Sequence, residues 1–365
     1  VSPCESRSSS SSYTKPPIRV SGSGVCFWGA ESFVQPFSVS LLFGPRYGGG
    51  MNKLLRLLQD GRFHSGQELG EALGVSRSAV WKHLQRIQNE TALPFYKVPG
   101  RGYRLAEPLS LLAEDQLLPQ LDALGWELYL FDALDSTNAE ALRLLSTGRA
   151  PFLVVAESQS AGRGRRGRHW VSPFGQNLYC SLAFKVHGGT RQLSGMSLVV
   201  GLAVMQTLRG MGLPQAGLKW PNDVYVDGRK IGGILLELTG DPADECHVIA
   251  GIGINVNMAD AEGIDQPWTS LREWVGMVDR NELLLTLAAT LKTYLDRHLA
   301  AGFASLREEW EAAHIWQGQS CTLSTGAHEL SGTVLGVDPQ GGLRLMIDGV
   351  ERSFSGGELS LRLDR

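Results

Sequence analysis

Between Met51 and Leu105 the chain carries three short helical patterns and then two brief extended runs, and a unit this small has few ways to bury its leucines. Leu54, Leu55, Leu57 and Leu58 form the apolar side of a first helix, which Asp60-Gly61 stops. Ser65 is placed to cap a second helix over Gly66–Leu73, and Gly74-Val75-Ser76 reads as a tight turn. A third helix is expected over Arg77–Gln88, with Val80, Leu84 and Ile87 inward. Phe95–Val98 and Tyr103–Leu105 flank Pro99-Gly100-Arg101-Gly102 as strand, turn, strand. Three helices and a hairpin make a winged helix-turn-helix.

Charge points the same way. Residues 51–106 hold nine Lys and Arg against four Asp and Glu, in a chain of formal net charge -3. The polar side of the third helix offers Ser76, Arg77, Ser78, Lys82, His83 and Arg86, and the hairpin offers Lys97, Arg101 and Arg104. Cations on both elements that would touch a duplex are the footprint of a DNA reader rather than of a packing module.

Residues 1–50 differ in kind. A serine run (Ser8–Ser12), Pro16-Pro17 and Gly48-Gly49-Gly50 show no sustained period, so this leader is expected to be poorly ordered, with natural translation beginning at Met51. The five cysteines, at 4, 26, 180, 246 and 321, have no metal-ligand spacing and read as free thiols of a reducing, cytoplasmic compartment. No apolar run reaches the ~18 residues that a membrane span needs.

After a linker at Glu107-Pro108, helix is expected over Leu109–Leu124 and strand over Trp126–Phe131. Strands (153–156, 178–184, 224–226, 233–238, 248–254) then mix with helices (137–145, 195–211, 282–301, 303–313) without strict alternation. The class is α+β, not a doubly wound sheet. From Gln319 short strands and turns such as Thr325-Gly326 and Pro339–Gly342 describe a small all-β barrel.

Within the central part lies Gly162-Arg163-Gly164-Arg165-Arg166-Gly167-Arg168-His169-Trp170. Arginine forks suit phosphate and carboxylate, and glycine lets a backbone close on a ligand. Such a loop is expected to be mobile when empty and to order around a polyanion. Asp135-Ser136-Thr137-Asn138 precedes it; Lys219-Trp220-Pro221-Asn222-Asp223, Arg229–Leu235 and Gly251-Ile252-Gly253-Ile254-Asn255 follow. Each is weak alone: Ser, Thr and Asn before a helix are usually caps, and Gly-x-Gly marks many strands that pass close to another backbone.

In this order, the segments resemble the catalytic domain of biotin–protein ligases, and the resemblance runs from Met51 to Arg365. It is strongest to the bifunctional bacterial branch, which joins a biotin–[acetyl-CoA-carboxylase] ligase to a biotin operon repressor. The resemblance implies a mainly antiparallel central sheet like that of class II aminoacyl-tRNA synthetases, and an SH3-like C-terminal barrel. Domains would span 51–108, 109–317 and 318–365. It implies biotin, ATP and Mg²⁺ as ligands, and a biotin carboxyl carrier protein, operator DNA and a second copy of the chain as partners.

Carried over by position, Ser136, Thr137, Asn138 and Gln159 would hold biotin, with Gly251 and Gly253 letting the sheet approach its rings. Arg163, Gly164 and Arg165 would wrap biotinyl-adenylate, and Arg168 and Lys219 would meet phosphate. Lys230 would touch the biotin carboxyl or the acyl phosphate. Asn222 and Asp223 would orient Lys219 or a water on Mg²⁺; Asn255 would belong to the nucleotide side, and Trp268 would either cover adenine or pin its own loop to the core. Lys230, Lys219 and Arg165 carry the catalytic expectation, and no residue is assigned as a direct metal ligand. His169 stands where the family pattern leads one to expect lysine, which weakens only the charge of the loop. Three rivals remain: a lipoate or octanoate transferase, which would lack the arginine run and the reader; a ligand-sensing repressor without ligase activity; and a plain RNA- or DNA-binding protein using the arginine–glycine loop, which leaves the segments from 219 to 255 unexplained.

Overall fold

The computed structural model describes residues 51–146, 150–187, 189–241, 245–324, 328–356 and 359–364. The expected leader and the turn at Thr325-Gly326 lie outside the described residues.

The N-terminal helices are α1 (Met51–Leu58), α2 (Gly66–Leu73) and α3 (Arg77–Thr91), followed by β1 (Phe95–Val98) and β2 (Gly102–Leu105). Helix α2 starts where it does because the Ser65 hydroxyl accepts the Glu68 N–H while the Glu68 carboxylate accepts the Ser65 N–H. It ends at Gly74, whose φ of 69° is left-handed. Helix α3 runs three residues beyond the expected Gln88, with the Thr91 hydroxyl donating back to the Ile87 carbonyl. The hairpin pairs Phe95 with Leu105, and reciprocal bonds between His64 and Tyr103 (2.9 and 2.8 Å) tie it to the segment before α2. Leu54, Leu55, Leu58, Leu69, Val80, Leu84, Ile87 and Tyr103 close the core of this unit. So does Phe174, which comes from the central part of the chain.

Residues 109–113 form neither helix nor strand, contrary to the helix expected from Leu109; α4 begins only at Glu114 and ends at Ala123. Distant side chains take the backbone groups that a helix would need. Leu112 N–H donates to Glu157 and Ala113 N–H to Asn281, both at 2.7 Å, and Arg280 Nε donates to the Ser110 carbonyl at 2.7 Å. Arg56, on α1, donates to the Leu112 carbonyl at 2.8 Å. Tertiary partners override local propensity here.

The central part contains β3 (Glu127–Phe131), α5 (Thr137–Leu145), β4 (Phe152–Ala156), β5 (Leu178–His187), α6 (Thr190–Leu193) and α7 (Met196–Gly210). It continues through β6 (Gly217–Lys219), β7 (Asp223–Val226), β8 (Arg229–Gly240), β9 (Glu245–Ile254), α8 (Leu271–Val275), α9 (Arg280–Ala301) and α10 (Arg307–Ala313). Its seven strands lie in the order β3-β4-β5-β9-β8-β7-β6; only β3 and β4 run parallel. The α+β class holds. Alternate residues of β4 face opposite ways. Leu153 and Val155 enter the large core with α7 and α9, while Phe152 and Val154 pack with Ala141 of α5. Every residue of β4 is therefore buried.

The C-terminal strands are β10 (Ser320–Ser324), β11 (Glu329–Val337), β12 (Leu343–Ile347), β13 (Val350–Phe354) and β14 (Ser360–Leu363). They form one antiparallel sheet in the order β13-β12-β11-β10-β14. Among the described residues the pairings make a five-stranded sheet with β13 and β14 at its edges; they do not show the closure of the barrel expected. Its buried leucines and valines join the core of the central part. Among the described residues no helix is long and apolar enough to cross a membrane.

Candidate active site

On the α5 face, beyond the packed Phe152 and Val154, the sheet carries small residues. Ser181 of β5 and Gly251 and Gly253 of β9 replace the large residues found elsewhere, and a cavity of about 360 Å³ opens beside them. All sixteen non-DNA residues singled out above line this one cavity.

Ser136 is the N-cap of α5 by backbone geometry, yet no side-chain cap bond forms. The polar groups turn to one another instead. The Thr137 N–H and hydroxyl both donate to Gln159 Oε1 (2.9 and 3.2 Å), while Gln159 Nε2 donates to Ser172 at 3.1 Å. Ser181 Oγ lies 2.8 Å from the Thr137 hydroxyl and 2.6 Å from Asn138 Oδ1. Ser136, Thr137 and Asn138 are all buried. This end of the cavity is uncharged, rigid and rich in oriented donors and acceptors. Ser181, its hub, escaped the sequence reading because a lone serine in an apolar strand carries no local signal.

The two glycines serve their neighbours. A Cβ on Gly251 would collide with the Asn138 amide, and one on Gly253 would lie 2.7 Å from Trp170 Cζ2. Both are needed first for Asn138 and Trp170 to lie flat on the sheet. The Trp170 indole N–H is buried without a partner among the described residues, as suits a donor waiting for a ligand. Trp170 ends the arginine run, where its place was the available signal.

The opposite end is cationic. Lys230 Nζ pairs with Asp223 Oδ1 at 2.7 Å across β7 and β8, beside a bulge between Val224 and Tyr225. Asp223 thus pairs directly with Lys230, while its charge also acts on Lys219. Asn222 orients Arg165: its Oδ1 accepts from Arg165 Nη1 at 3.1 Å, and its Nδ2 donates to the Ile234 carbonyl. Arg165 Nη2 also reaches the Leu359 carbonyl at 3.1 Å, so the C-terminal part closes one wall. Leu359, Ser360 and Leu361 were not foreseen. Burial pushes the Lys219 ammonium below its ordinary pKa; Asp223 opposes this, and Lys230, Arg168 and Arg362 add to it. Cations crowded in this way favour an anion between them.

The arginine loop closes on itself through Gly164 N–H to the Arg168 carbonyl (2.7 Å) and Trp170 N–H to the Gly162 carbonyl (2.9 Å). Arg163 leans outward onto Glu237 at 3.4 Å. Asn255 is buried and spends its amide on the Thr269 carbonyl at 3.0 Å. It holds the loop that carries the half-buried Trp268, which bridges to Lys230.

On the reader, Arg77, Ser78, Lys82, Arg86, Lys97 and Arg101 are exposed and His83 is half-buried. Ser76 is committed as the α3 cap, Arg86 pairs with Glu90 at 2.7 Å, and Lys97 and Arg101 stand 4.4 and 4.5 Å from the Trp81 and Phe63 ring centroids. Cation–π contacts hold the wing's charges in place without neutralising them.

Three family profiles match the chain in sequence: an HTH domain over residues 51–104, the Biotin/lipoate A/B protein ligase family over 130–255, and the Biotin protein ligase C terminal domain over 318–362. The bifunctional ligase/repressor BirA of Escherichia coli is 40% identical over 312 residues, which cover 85% of this chain and 96% of that protein. The chain belongs to the bifunctional biotin ligase/repressor family. BirA of Bacillus subtilis is 32% identical over 80% of this chain and 92% of its own length. The biotin protein ligase of Aquifex aeolicus, solved in complex with biotin and ATP, superposes with a TM-score of 0.57 at 31% identity; the match covers 65% of this chain and 99% of that one. Family membership accounts for a cavity with a neutral polar end and a cationic end in a chain that also carries a basic winged helix.

Proposed function

We propose that this chain condenses biotin with ATP to biotinyl-adenylate, transfers the biotin to one lysine of a biotin carboxyl carrier protein, and represses biotin synthesis genes. The observation that carries the reading is the polarity of this cavity: a buried Ser–Thr–Asn–Gln network at one end, and Lys230, Lys219, Arg165 and Arg168 at the other. A neutral ureido ring suits the first, and a carboxylate meeting a triphosphate needs the second.

In the first step the biotin carboxylate oxygen attacks the α-phosphorus and pyrophosphate leaves. Lys230 holds the two anionic oxygens together, Arg165 and Arg168 flank the phosphates, and Lys219 takes charge that develops on the leaving group. In the second step the carrier amine attacks the acyl carbon, and AMP leaves with the electron pair of the broken anhydride bond. The site needs positioning and charge rather than a protein nucleophile. Trp268 covers the adenine, and Trp170 with Asn138 encloses the biotin rings.

Mg²⁺ fits as a companion of ATP, not as a resident of a protein cage. Among the described residues no group of three or more His, Cys, Asp or Glu could hold a metal, and Asp223 is paired with Lys230. The ion would be held through the phosphates. The domain limits 51–108, 109–317 and 318–365, the kinship of the central sheet to class II synthetases and the SH3-like character of the C-terminal sheet belong to the same reading, as does a cytoplasmic location. Incubation with biotin, ATP and an apo carrier domain tests the ligase. No biotin on the carrier, with the repressor active, would favour the ligand sensor; lipoate or octanoate transfer would favour the transferase.

Arg165 spans from Asn222 to Leu359 and so bars the exit of the adenylate. Arg165→Gly is expected to keep partial adenylate synthesis but to release the intermediate, labelling lysines on bystander proteins. Retention as tight as in the parent chain removes this role.

For the repressor, ordering of the arginine loop on the adenylate completes a homodimer surface, and the dimer alone sets two α3 helices on two half-sites of operator DNA. Sedimentation and operator binding, with and without biotin plus ATP, are expected to rise together. Equal dimer fraction and equal DNA affinity in both conditions would sink the coupling and leave the ligase untouched.

A further inference from the structure

Two lysines meet in this cavity, and they are held by different means. Lys230 is paired with a carboxylate. Lys219 forms no ion pair among the described residues; its ammonium stands 4.7 Å from the Trp316 ring centroid, 5.2 Å from that of Tyr225 and 3.4 Å from the Tyr225 hydroxyl. Tyr225 lies on β7, the neighbour of β6, which carries Lys219. Trp316 comes from elsewhere, on the segment that leaves α10 for the C-terminal sheet.

The backbone brings it there. Ile315 N–H donates to the Leu218 carbonyl at 2.9 Å, and His314 bridges to Leu218 in parallel register. Gly217 makes this possible, because a side chain there would strike Ile315. Stacking of His314 on Trp310, with ring centroids 4.8 Å apart, fixes the start of the segment. Trp316 then falls beside Lys219, next along the paired segments.

We propose that Trp316 is a positioning residue of the adenylation site: with Tyr225 it forms an aromatic cage that holds the Lys219 ammonium at the cavity wall with its charge intact. The inference rests on the reading of Lys219 as a phosphate cation. A carboxylate partner would compete with the incoming polyanion. Ring faces attract the ammonium through their quadrupole, replace part of its lost hydration and leave its full charge to the triphosphate. The cage also places the exit to the C-terminal sheet against the nucleotide end of the cavity.

The test uses the full chain and pyrophosphate release from biotin and ATP, measured at varied ATP. Trp316→Leu keeps apolar bulk and removes the large ring; Trp316→Phe keeps a ring face. Trp316→Leu is expected to lower kcat/KM for ATP about tenfold, the scale of one desolvated cation–π contact, with biotin affinity unchanged. Trp316→Phe is expected within about threefold of the parent chain on the same scale. In a Lys219→Met background, Trp316→Leu is expected to add nothing. Equal losses for the Leu and Phe variants, or a further loss on top of Lys219→Met, would overturn the cage and leave packing as the role of Trp316. Parent-like kinetics of Lys219→Met would instead overturn the reading of Lys219 itself, whereas an impaired Lys219→Met beside an unimpaired Trp316→Leu would overturn only the cage. Should Trp316→Leu not fold, Tyr225→Leu removes the other wall and carries the same expectations.

Discussion

Lys230→Ala slows biotinyl-adenylate formation by ~10²-fold or more, the usual effect of losing one transition-state donor from a dry site. The expectation rests on an ammonium fixed 2.7 Å from Asp223, with only 14% of the lysine side chain exposed. Asp223 aims the charge, and the bulge at Ile231 of β8, next to Lys230, sets the angle from which it does so. Loss of the lysine also leaves a carboxylate at the reacting end, where it repels the biotin carboxylate, so the variant loses attraction and gains repulsion. Lys230→Ala/Asp223→Asn is therefore expected to recover part of the rate. Pyrophosphate release under single-turnover conditions measures both variants. A parent-like rate for Lys230→Ala would take this residue out of the reaction.

The second large effect is on stability. Arg280 is fully buried, and its guanidinium bonds to Glu157, to the Asn177 carbonyl at 2.8 Å and to the Ser110 carbonyl at 2.7 Å. Glu157 in turn receives the Leu112 N–H. Linker, sheet and the start of α9 meet at this one charge. Removal of one partner of a buried pair costs ~3–5 kcal/mol because the other charge is stranded. Arg280→Ala is expected to lower the melting temperature by roughly 10 °C for a domain of this size. Arg280→Met/Glu157→Gln, which strands no charge, is expected to recover much of that. Calorimetry decides: a shift below about 2 °C for Arg280→Ala would mean that water or a neighbour satisfies Glu157.

Much of this was legible in the sequence, for identifiable reasons. The Ser65 cap, the Gly74-Val75-Ser76 turn and the leucine spacing of α1–α3 are local signals, and they placed the winged helix nearly residue by residue. The arginine run and the Lys-Trp-Pro-Asn-Asp segment were legible by resemblance, and their side chains do converge on one cavity. Contacts made over long separations were not legible. Leu109–Ala113 reads as helix until Glu157, Arg280 and Asn281 claim its backbone from 45 to 170 residues away. Ser181 matters because two residues more than 40 positions earlier fold onto it. The partner of Asp223 turned on a bulge, which shifts strand register without leaving a compositional trace. Closure of the C-terminal strands was not legible either, since strand spacing fixes neighbours in sequence but not which edges meet.

Phe174 lies two residues past Ser172, the hydrogen-bond partner of Gln159, yet its ring is buried in the core of the DNA reader with Leu54, Leu84 and Leu111. The boundary between reader and enzyme is thus crossed by an aromatic ring that the enzyme's chain lends to the reader's core. A lineage that discarded the reader would bare that ring together with the partly buried Leu109 beside it, and would have to recolour both before its shortened enzyme was safe from sticking to itself. Losing a regulator by deletion is, for this architecture, a surface-chemistry problem before it is a regulatory one.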